Sequence, residues 1–405
     1  MVRPLEGIKV VEVSTWAYVP SCGAALADMG ADVVKIETPA GDPIRQLTMN
    51  DIPPGTGGFT FMYEIFNRGK RSVAIDLNAE GAIDVLYRLL ETADVFLTNL
   101  LPPTRRKLKI DADHLTKRFP HLIYAAGSGQ GARGPDAEKG GYDAISLWSR
   151  SGLASAATPD NAPYPPPMPV GAIGDVTSGL VLAGAISAAI ARRAMTGEAL
   201  VVDGSLLSTG MWMMQPSIVG TQVSGTDELR MAPREQSRNP LVGTFYRTKD
   251  RRFVCINMMQ SQRYWPGLCR ALGRPELAED ERFGSDALRY ANVTACMAEL
   301  DAAFGQFTLE EVKERLATQE GQWDVVQKAS DLLHDVAVNT NGYLPEVDYG
   351  DGRRIRMVAA PMQFGGEPLQ PRPAPELGAD SDAVLAGAGY SEEDILNLRI
   401  AGVLE

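Results

Sequence analysis

Strand-like and helix-like segments alternate along the first third of the chain, and no other feature narrows the possible folds as much. Residues 8–13, 32–37 and 72–77 are short runs rich in valine and isoleucine, and 94–98 and 122–126 extend the series. Residues 24–29 predict a helix closed by Gly30, where a left-handed residue is favoured. Ala82, Val85, Leu86, Leu89 and Leu90 fall on one face of another helix. Strands separated by helices imply an α/β fold with a parallel, doubly wound sheet. Ligands of such sheets bind at the carboxyl ends of the strands.

At 405 residues the chain is too long for one ordinary core, so two domains are expected. The segment from about 215 to 240 is polar and reads as a loop-like boundary. Beyond it, residues 253–256 predict a strand, 265–272 a helix, and 280–320 a largely helical stretch. Strand character returns at 353–358, and 383–386 and 392–398 predict two short closing helices.

A formal net charge of −12 and the lack of a long basic run argue against binding nucleic acid. Two local basic clusters, Arg105-Arg106-Lys107 and Lys70-Arg71, suit either one small phosphorylated ligand or plain solvation. The four cysteines, Cys22, Cys255, Cys269 and Cys296, form no CxxC pair. They point to neither a zinc site nor a disulfide scaffold and fit a reducing cytoplasm. The three histidines, His114, His121 and His334, make no HExxH motif, and no metal is expected. The opening residues do not match a signal peptide. The apolar stretch at 180–191 contains Gly and many Ala, and reads as too short and weak to span a bilayer. A cytoplasmic protein without membrane contact is the expectation.

One carboxylate is set apart. Gly171-Ala172-Ile173-Gly174-Asp175-Val176-Thr177-Ser178-Gly179 places Asp175 among small residues, just before an apolar run at 180–190 that predicts a buried helix. Two roles fit: Asp175 caps that helix, or it is a fixed, accessible carboxylate near the positive helix end, able to attack an activated acyl group. A stiff proline-rich connector at 161–169 leads into this segment. The dinucleotide fingerprint is missing, because the first strand is followed by Ser14-Thr15-Trp16-Ala17-Tyr18-Val19-Pro20. Gly127-Ser128-Gly129-Gln130-Gly131 follows a strand, but Arg133-Gly134-Pro135 breaks any helix after it. Those glycines suit a loop that lets a ligand come close, and a nicotinamide-dependent dehydrogenase is disfavoured.

Several segments, in order, resemble the class III coenzyme A transferases, the CaiB/BaiF family. They are the opening PLEGIKVVE (residues 4–12), LADMGADVVKIE (26–37), NRGKRSVAIDL (67–77) and the tail LGADSD (377–382). The resemblance implies a Rossmann-like large domain built from both chain ends and a smaller inserted α+β domain. On that pattern, residues 1–215 and 336–405 belong to the large CoA-binding domain, and 216–335 to the small domain with its linkers. It also implies a homodimer of two interlocked rings.

The activity implied is transfer of CoA between carboxylic acids, with an acyl-CoA and a carboxylate as partners and no permanently bound cofactor. Asp175 would be the catalytic nucleophile, passing through aspartyl-acyl anhydride and aspartyl-CoA thioester intermediates. By the same resemblance Ala17 and Tyr18 lie along the CoA. Ile75, Asp76, Leu77, Asn78, Thr98, Asn99 and Leu100 line its adenosine end, and Lys107, helped by Arg105, stands where many members carry an arginine. Thr38 replaces another phosphate-binding arginine of some members. As strand-end residues, Asp76 and Asn99 equally suit turn formation. Gly127 to Gly131 are candidates for oxyanion stabilisation by composition alone.

Racemases of the same fold use a histidine where this chain has Tyr142, and a tyrosine with an ordinary pKa of about 10 is a poor general base. Tyr142 then packs beside the thioester or donates a hydrogen bond to it. The tandem-glycine loop of formyl-CoA transferases is missing between Arg230 and Trp265. The alternatives are a racemase or isomerase on this scaffold, and a CoA-binding protein without catalysis. Trp212, Met213, Met214, Met258 and Met259 suit either an apolar acyl pocket or the core.

Overall fold

The alternation becomes one parallel sheet. The structure is a computed structural model, described for residues 2–47, 59–229, 234 and 239–405. Its elements run β1 (Lys9–Val13), α1 (Tyr18–Asp28), β2 (Asp32–Glu37), α2 (Phe61–Asn67), β3 (Arg71–Ala74), α3 (Ala82–Leu90), β4 (Val95–Thr98), α4 (Pro102–Lys107), α5 (Ala112–Arg118) and β5 (Ile123–Ser128). There follow α6 (Leu153–Ala156), α7 (Ile173–Thr196), β6 (Val201–Ser205), α8 (Leu206–Met213) and α9 (Gln215–Ser224). The sheet order is β3-β2-β1-β4-β5-β6, with every neighbouring pair parallel. Successive side chains leave a strand on opposite faces. Val11, Val34 and Phe96 therefore pack with α3 and the C-terminal helices, whereas Val10, Val33 and Val95 pack with α1 and α7.

The chain divides into two compact units, Met1–Leu229 with Val336–Glu405, and Arg230–Asp335. In the first, the returning C-terminus closes the sheet edge: β3 stops at Ala74, Ile75 bridges Leu404 antiparallel, and the Asp76 N–H donates to Val403 O at 3.0 Å. The strand expected over 72–77 is shortened for that reason. In the second, three antiparallel strands, β7 (Val242–Arg247), β8 (Phe253–Asn257) and β9 (Trp323–Val325), pack on helices around Trp265, Phe283 and Phe304. Tyr246 stacks on Phe304 with ring centroids 4.9 Å apart.

Three further elements depart from the expectations. Helix α1 begins six residues before position 24, because Pro20 lies in its first turn, where the missing N–H breaks no helical bond. Residues 215–224, read as loop, form α9; it buries none of its residues, so its sequence carries no apolar stripe. Part of the remaining 215–240 segment lies outside the described residues. Helix α7 starts at Ile173, not near 180, and at 24 residues it is long and apolar enough by length and composition to cross a membrane. One of its faces, with Gly174, Ser178, Gly179, Leu182, Ala183, Ile186 and Ala189, is buried. At Gly179 a Cβ would stand 2.8 Å from Tyr18 O and 2.9 Å from Cys22 N, so only glycine lets α7 lie this close to α1.

Beneath the β1–α1 connection lies a fully buried charge cluster. Lys35 Nζ contacts Glu12 Oε1 at 3.3 Å and Asp42 Oδ2 at 2.9 Å, and Lys70 Nζ contacts Glu12 Oε2 at 2.8 Å. Lys35 also donates to Ser14 O at 3.1 Å. Burial lowers the Lys70 pKa to about 8, opposed by Glu12. Lys35→Met leaves two buried acids short of a counter-charge and is expected to destabilise the first unit by about 3–5 kcal/mol. Urea unfolding checks this; an unchanged midpoint would show that the cluster adds nothing to stability.

Candidate active site

The sheet order reverses between β1 and β4, and such a switch point opens a crevice at the carboxyl ends of the strands. A cavity of about 320 Å³ lies there. Thr15, Trp16, Ala17 and Tyr18 follow β1, Asn99 and Leu100 follow β4, and Gly127 and Ser128 end β5; all line it, as does Asp175.

Asp175 sits inside the first turn of α7 and is not its cap. The cap position is Ala172, at φ +63°, which offers no side-chain bond. Asp143, buried and from another segment, comes against this helix start; its Oδ1 accepts the neighbouring Ala144 N–H at 2.8 Å, and burial raises its pKa while the nearby Ala144, Gly174 and Asp175 amides lower it. Gly174 makes this possible, since a Cβ there would stand 2.7 Å from Asp143 Cβ. The Asp175 carboxylate caps nothing and lines the cavity. Among the described residues it accepts no hydrogen bond. Burial, reinforced by the neighbouring Asp143 charge, raises its pKa from the ordinary carboxylate range to about 7.

The β1–α1 strap is stitched on both sides. Thr15 N–H donates to Asn99 Oδ1 at 3.0 Å, and Asn99 Nδ2 donates to Thr15 O at 2.7 Å. Trp16 takes the left-handed φ of +68° while its N–H donates to Asp42 Oδ1 at 3.1 Å, in the buried charge cluster. The Trp16 ring meets Tyr142 edge-on across the mouth, with centroids 5.8 Å apart. Arg105 and Lys139 supply positive charge. Arg105 Nη1 donates to Tyr124 Oη at 3.0 Å, and Tyr124 in turn donates to Ile110 O at 3.2 Å.

Of the residues named from the sequence, the cavity gathers Ala17, Tyr18, Asn99, Leu100, Arg105, Tyr142 and Asp175. It does not take in Ile75, Asp76, Leu77, Asn78, Thr98 or Lys107. Ile75 and Thr98 are fully buried in the sheet, Asp76 Oδ1 accepts the Asn78 N–H at 3.0 Å as a turn, and Lys107 Nζ reaches Asn78 Oδ1 at 3.3 Å. The Thr38 hydroxyl donates to Gly41 O at 3.4 Å. Of the 127–131 loop, Gly127, Ser128 and Gly129 face the cavity, and the Gly131 N–H is held by Ser128 Oγ at 3.0 Å. Met258 is buried in the second unit's core, whereas Trp212, Met213 and Met259 are exposed. Thr15, Trp16, Lys139 and Leu206 were not anticipated; Lys139, three residues before Tyr142 in one glycine-rich loop, was the one with a readable signal.

A raised pKa on an acid means that the unfolded chain ionises first, so folding stability falls as pH climbs from about 4 to about 7. Asp175→Asn removes that loss. Its melting temperature is expected to exceed the parent's above pH 7, with the gap closing toward pH 4. Asp143→Asn is expected to lower the Asp175 titration midpoint, read by carboxyl-labelled NMR; an unmoved midpoint would remove Asp143 as a cause.

The family model for "CoA-transferase family III" matches residues 5–381. The chain is 30% identical over 401 residues to the (R)-2-hydroxy-4-methylpentanoate CoA-transferase of Clostridioides difficile, covering 99% of each. It is 26% identical over 409 residues to the succinyl-CoA:glutarate CoA-transferase of Mus musculus, covering 100% of this chain and 91% of that one. A solved CaiB/BaiF family protein from Brucella suis superposes with a TM-score of 0.82 at 28% identity, over 96% of this chain and 100% of the other. A parallel-sheet unit with a free carboxylate at its switch point, matched end to end by such relatives, belongs to CoA-transferase family III, and the protein is a CoA-transferase of that class.

Proposed function

We infer that the protein moves CoA from an acyl-CoA to a free carboxylic acid with Asp175 as the nucleophile. The observation that carries this reading is the Asp175 carboxylate itself: partly buried, without a hydrogen-bond partner among the described residues, and facing a cavity with a basic rim. An Asp175 oxygen attacks the thioester carbonyl, the C–S bond breaks, and CoA leaves as thiolate with a mixed anhydride behind it. The thiolate attacks the Asp175 carbonyl and releases the donor acid as carboxylate, leaving an aspartyl-CoA thioester. The acceptor carboxylate attacks that thioester and expels the thiolate, which then takes the acceptor's acyl group and frees Asp175. Each step consumes one anion and releases one, so no net proton moves. A nucleophile with a pKa near 7 is substantially ionised at neutral pH and more basic than an ordinary aspartate.

Arg105 and Lys139 suit the phosphates of CoA, Arg105 being fixed in place by Tyr124. A homodimer is part of the same reading. Val181 on α7, Met211 and Trp212 on α8, and Val219 and Val223 on α9 are all exposed apolar residues of one unit, Trp212 at 74%. Exposed apolar surface of this kind marks protein contact.

Incubation with an acyl-CoA and hydroxylamine should convert Asp175 to its hydroxamate, read by peptide mass spectrometry. Asp175→Asn should lower CoA exchange by about 10⁴-fold or more; an unmodified Asp175 peptide under turnover would sink the mechanism. Arg105→Ala should raise KM for acyl-CoA about tenfold or more with a much smaller change in kcat, checked by steady-state kinetics at two salt concentrations.

A further inference from the structure

One hydroxyl on α7 has no partner, although every other hydroxyl residue of that helix has one. Thr177 Oγ1 donates to Ile173 O at 2.7 Å, Ser187 Oγ to Ala183 O at 2.9 Å and Thr196 Oγ1 to Arg192 O at 2.9 Å, each reaching the carbonyl four residues back. Ser178 makes no such bond to Gly174. It is 0% exposed, and among the described residues its Oγ has no hydrogen-bond partner. A buried polar group left unpaired is costly. At about 3.6 residues per turn, position 178 lies between the columns of Gly174 and Asp175. Helix side chains lean toward the N-terminus, so the Ser178 hydroxyl leans toward the turn that carries Asp175. Gly174 puts no side chain of α7 in its way, and Asp143 and Leu147 pack against that glycine. Asp175 lines the cavity and the fully buried Ser178 does not, so the hydroxyl stands on the protein side of the carboxylate.

We propose that the Ser178 hydroxyl is the donor for the oxyanion that forms on Asp175 itself. Two steps of the transfer place one there. The CoA thiolate attacks the Asp175 carbonyl carbon of the anhydride, the C=O electron pair moves to oxygen, and collapse expels the donor acid as carboxylate. The acceptor carboxylate later attacks the same carbon of the thioester, and collapse expels the thiolate. The Ser178 proton stays on Ser178 throughout. The other two steps develop charge on the substrate's carbonyl, which the cavity-lining Gly127, Ser128 and Gly129 suit. At rest the Asp175 carboxylate is planar and Ser178 gives it no bond, so the starting state gains nothing from the hydroxyl. As the carbon becomes tetrahedral its oxygen leaves that plane, and a hydroxyl that rotates about one bond can follow it. A bond made only at that stage lowers the barrier. Asp143 Oδ2, the other acceptor beside this turn, is also buried without a partner, so no bond to it holds the hydroxyl at rest.

This inference rests on the Asp175 reading and deepens it, and one set of measurements separates the two. Ser178→Ala is compared with the parent, both full length, using whichever straight-chain acyl-CoA of two to eight carbons the parent turns over fastest. Three readouts are taken: melting temperature, steady-state CoA transfer, and CoA thiol released in a single turnover without acceptor. The thiol is captured as a mixed disulfide by a dipyridyl disulfide and counted by chromatography. The melting temperature should hold or rise, because an unpaired hydroxyl is gone and alanine is the better helix former. Transfer should slow by about 10²-fold or more. Thiol release, which forms its oxyanion on the substrate, should keep the parent's rate. Unslowed transfer, an equal slowing of thiol release, or a lower melting temperature would each overturn the role of Ser178. Asp175→Asn releasing thiol as fast as the parent, or no release from any thioester by the parent, would overturn the Asp175 reading itself, and this inference with it.

Discussion

The position of the reacting carboxylate depends on how closely α7 can lie on α1. The atoms that crowd Gly179 are Ser21 Cβ and the α1 backbone atoms Tyr18 O and Cys22 N, none of which can swing aside as the far end of a side chain can. Any side chain at 179 would lift the start of α7 away from the sheet. Asp175 lies one turn before that contact, so the same displacement would carry the carboxylate out of the crevice at the strand ends. The apolar packing of Leu182, Ala183 and Ile186 with α1 keeps the two helices together once the close approach is available.

A second constraint is electrostatic. The ordinary acceptor for a helix's first amides is the side chain of its cap residue, and at α7 that residue is Ala172, which has none to offer. Asp143, from another segment, comes against the start of the helix and puts a second carboxylate beside Asp175. The outcome is an acid held near pH 7, poorly stabilised by its surroundings and correspondingly reactive. Elsewhere in the same unit, buried charge is handled the opposite way. Glu12, Asp42, Lys35 and Lys70 neutralise one another and fix the strap that carries Trp16 at its left-handed φ. One set of buried charges is balanced and rigid; the other is unbalanced and faces the cavity.

Much of the parallel sheet was legible because its strands are short valine-rich runs set off by helices, a pattern that follows from burying both faces. The segments that misled share one cause, which is that their local sequence does not carry the information that places them. Helix α9 reads as loop because it buries nothing within its own unit. The strand at 72–77 stops early because the chain's last residues, over three hundred positions away, take up Ile75 and Asp76. Asp76 and Asn99 looked alike as polar residues at strand ends, yet Asp76 folds into its own turn while Asn99 pins the strap at Thr15.

By itself the sequence determined that the chain would form a doubly wound α/β sheet and that Asp175, in its setting of small residues, was the acid to watch. Periodicity and small-residue spacing are local properties, and they survive without coordinates. Only the tertiary structure decided that Asp175 would be free and not a cap, that burial and Asp143 would raise its pKa, and that Lys139 would join Arg105 at the cavity while Lys107 would not. Each of those depends on atoms brought together from distant segments, where distance and burial, and not residue type, set the chemistry.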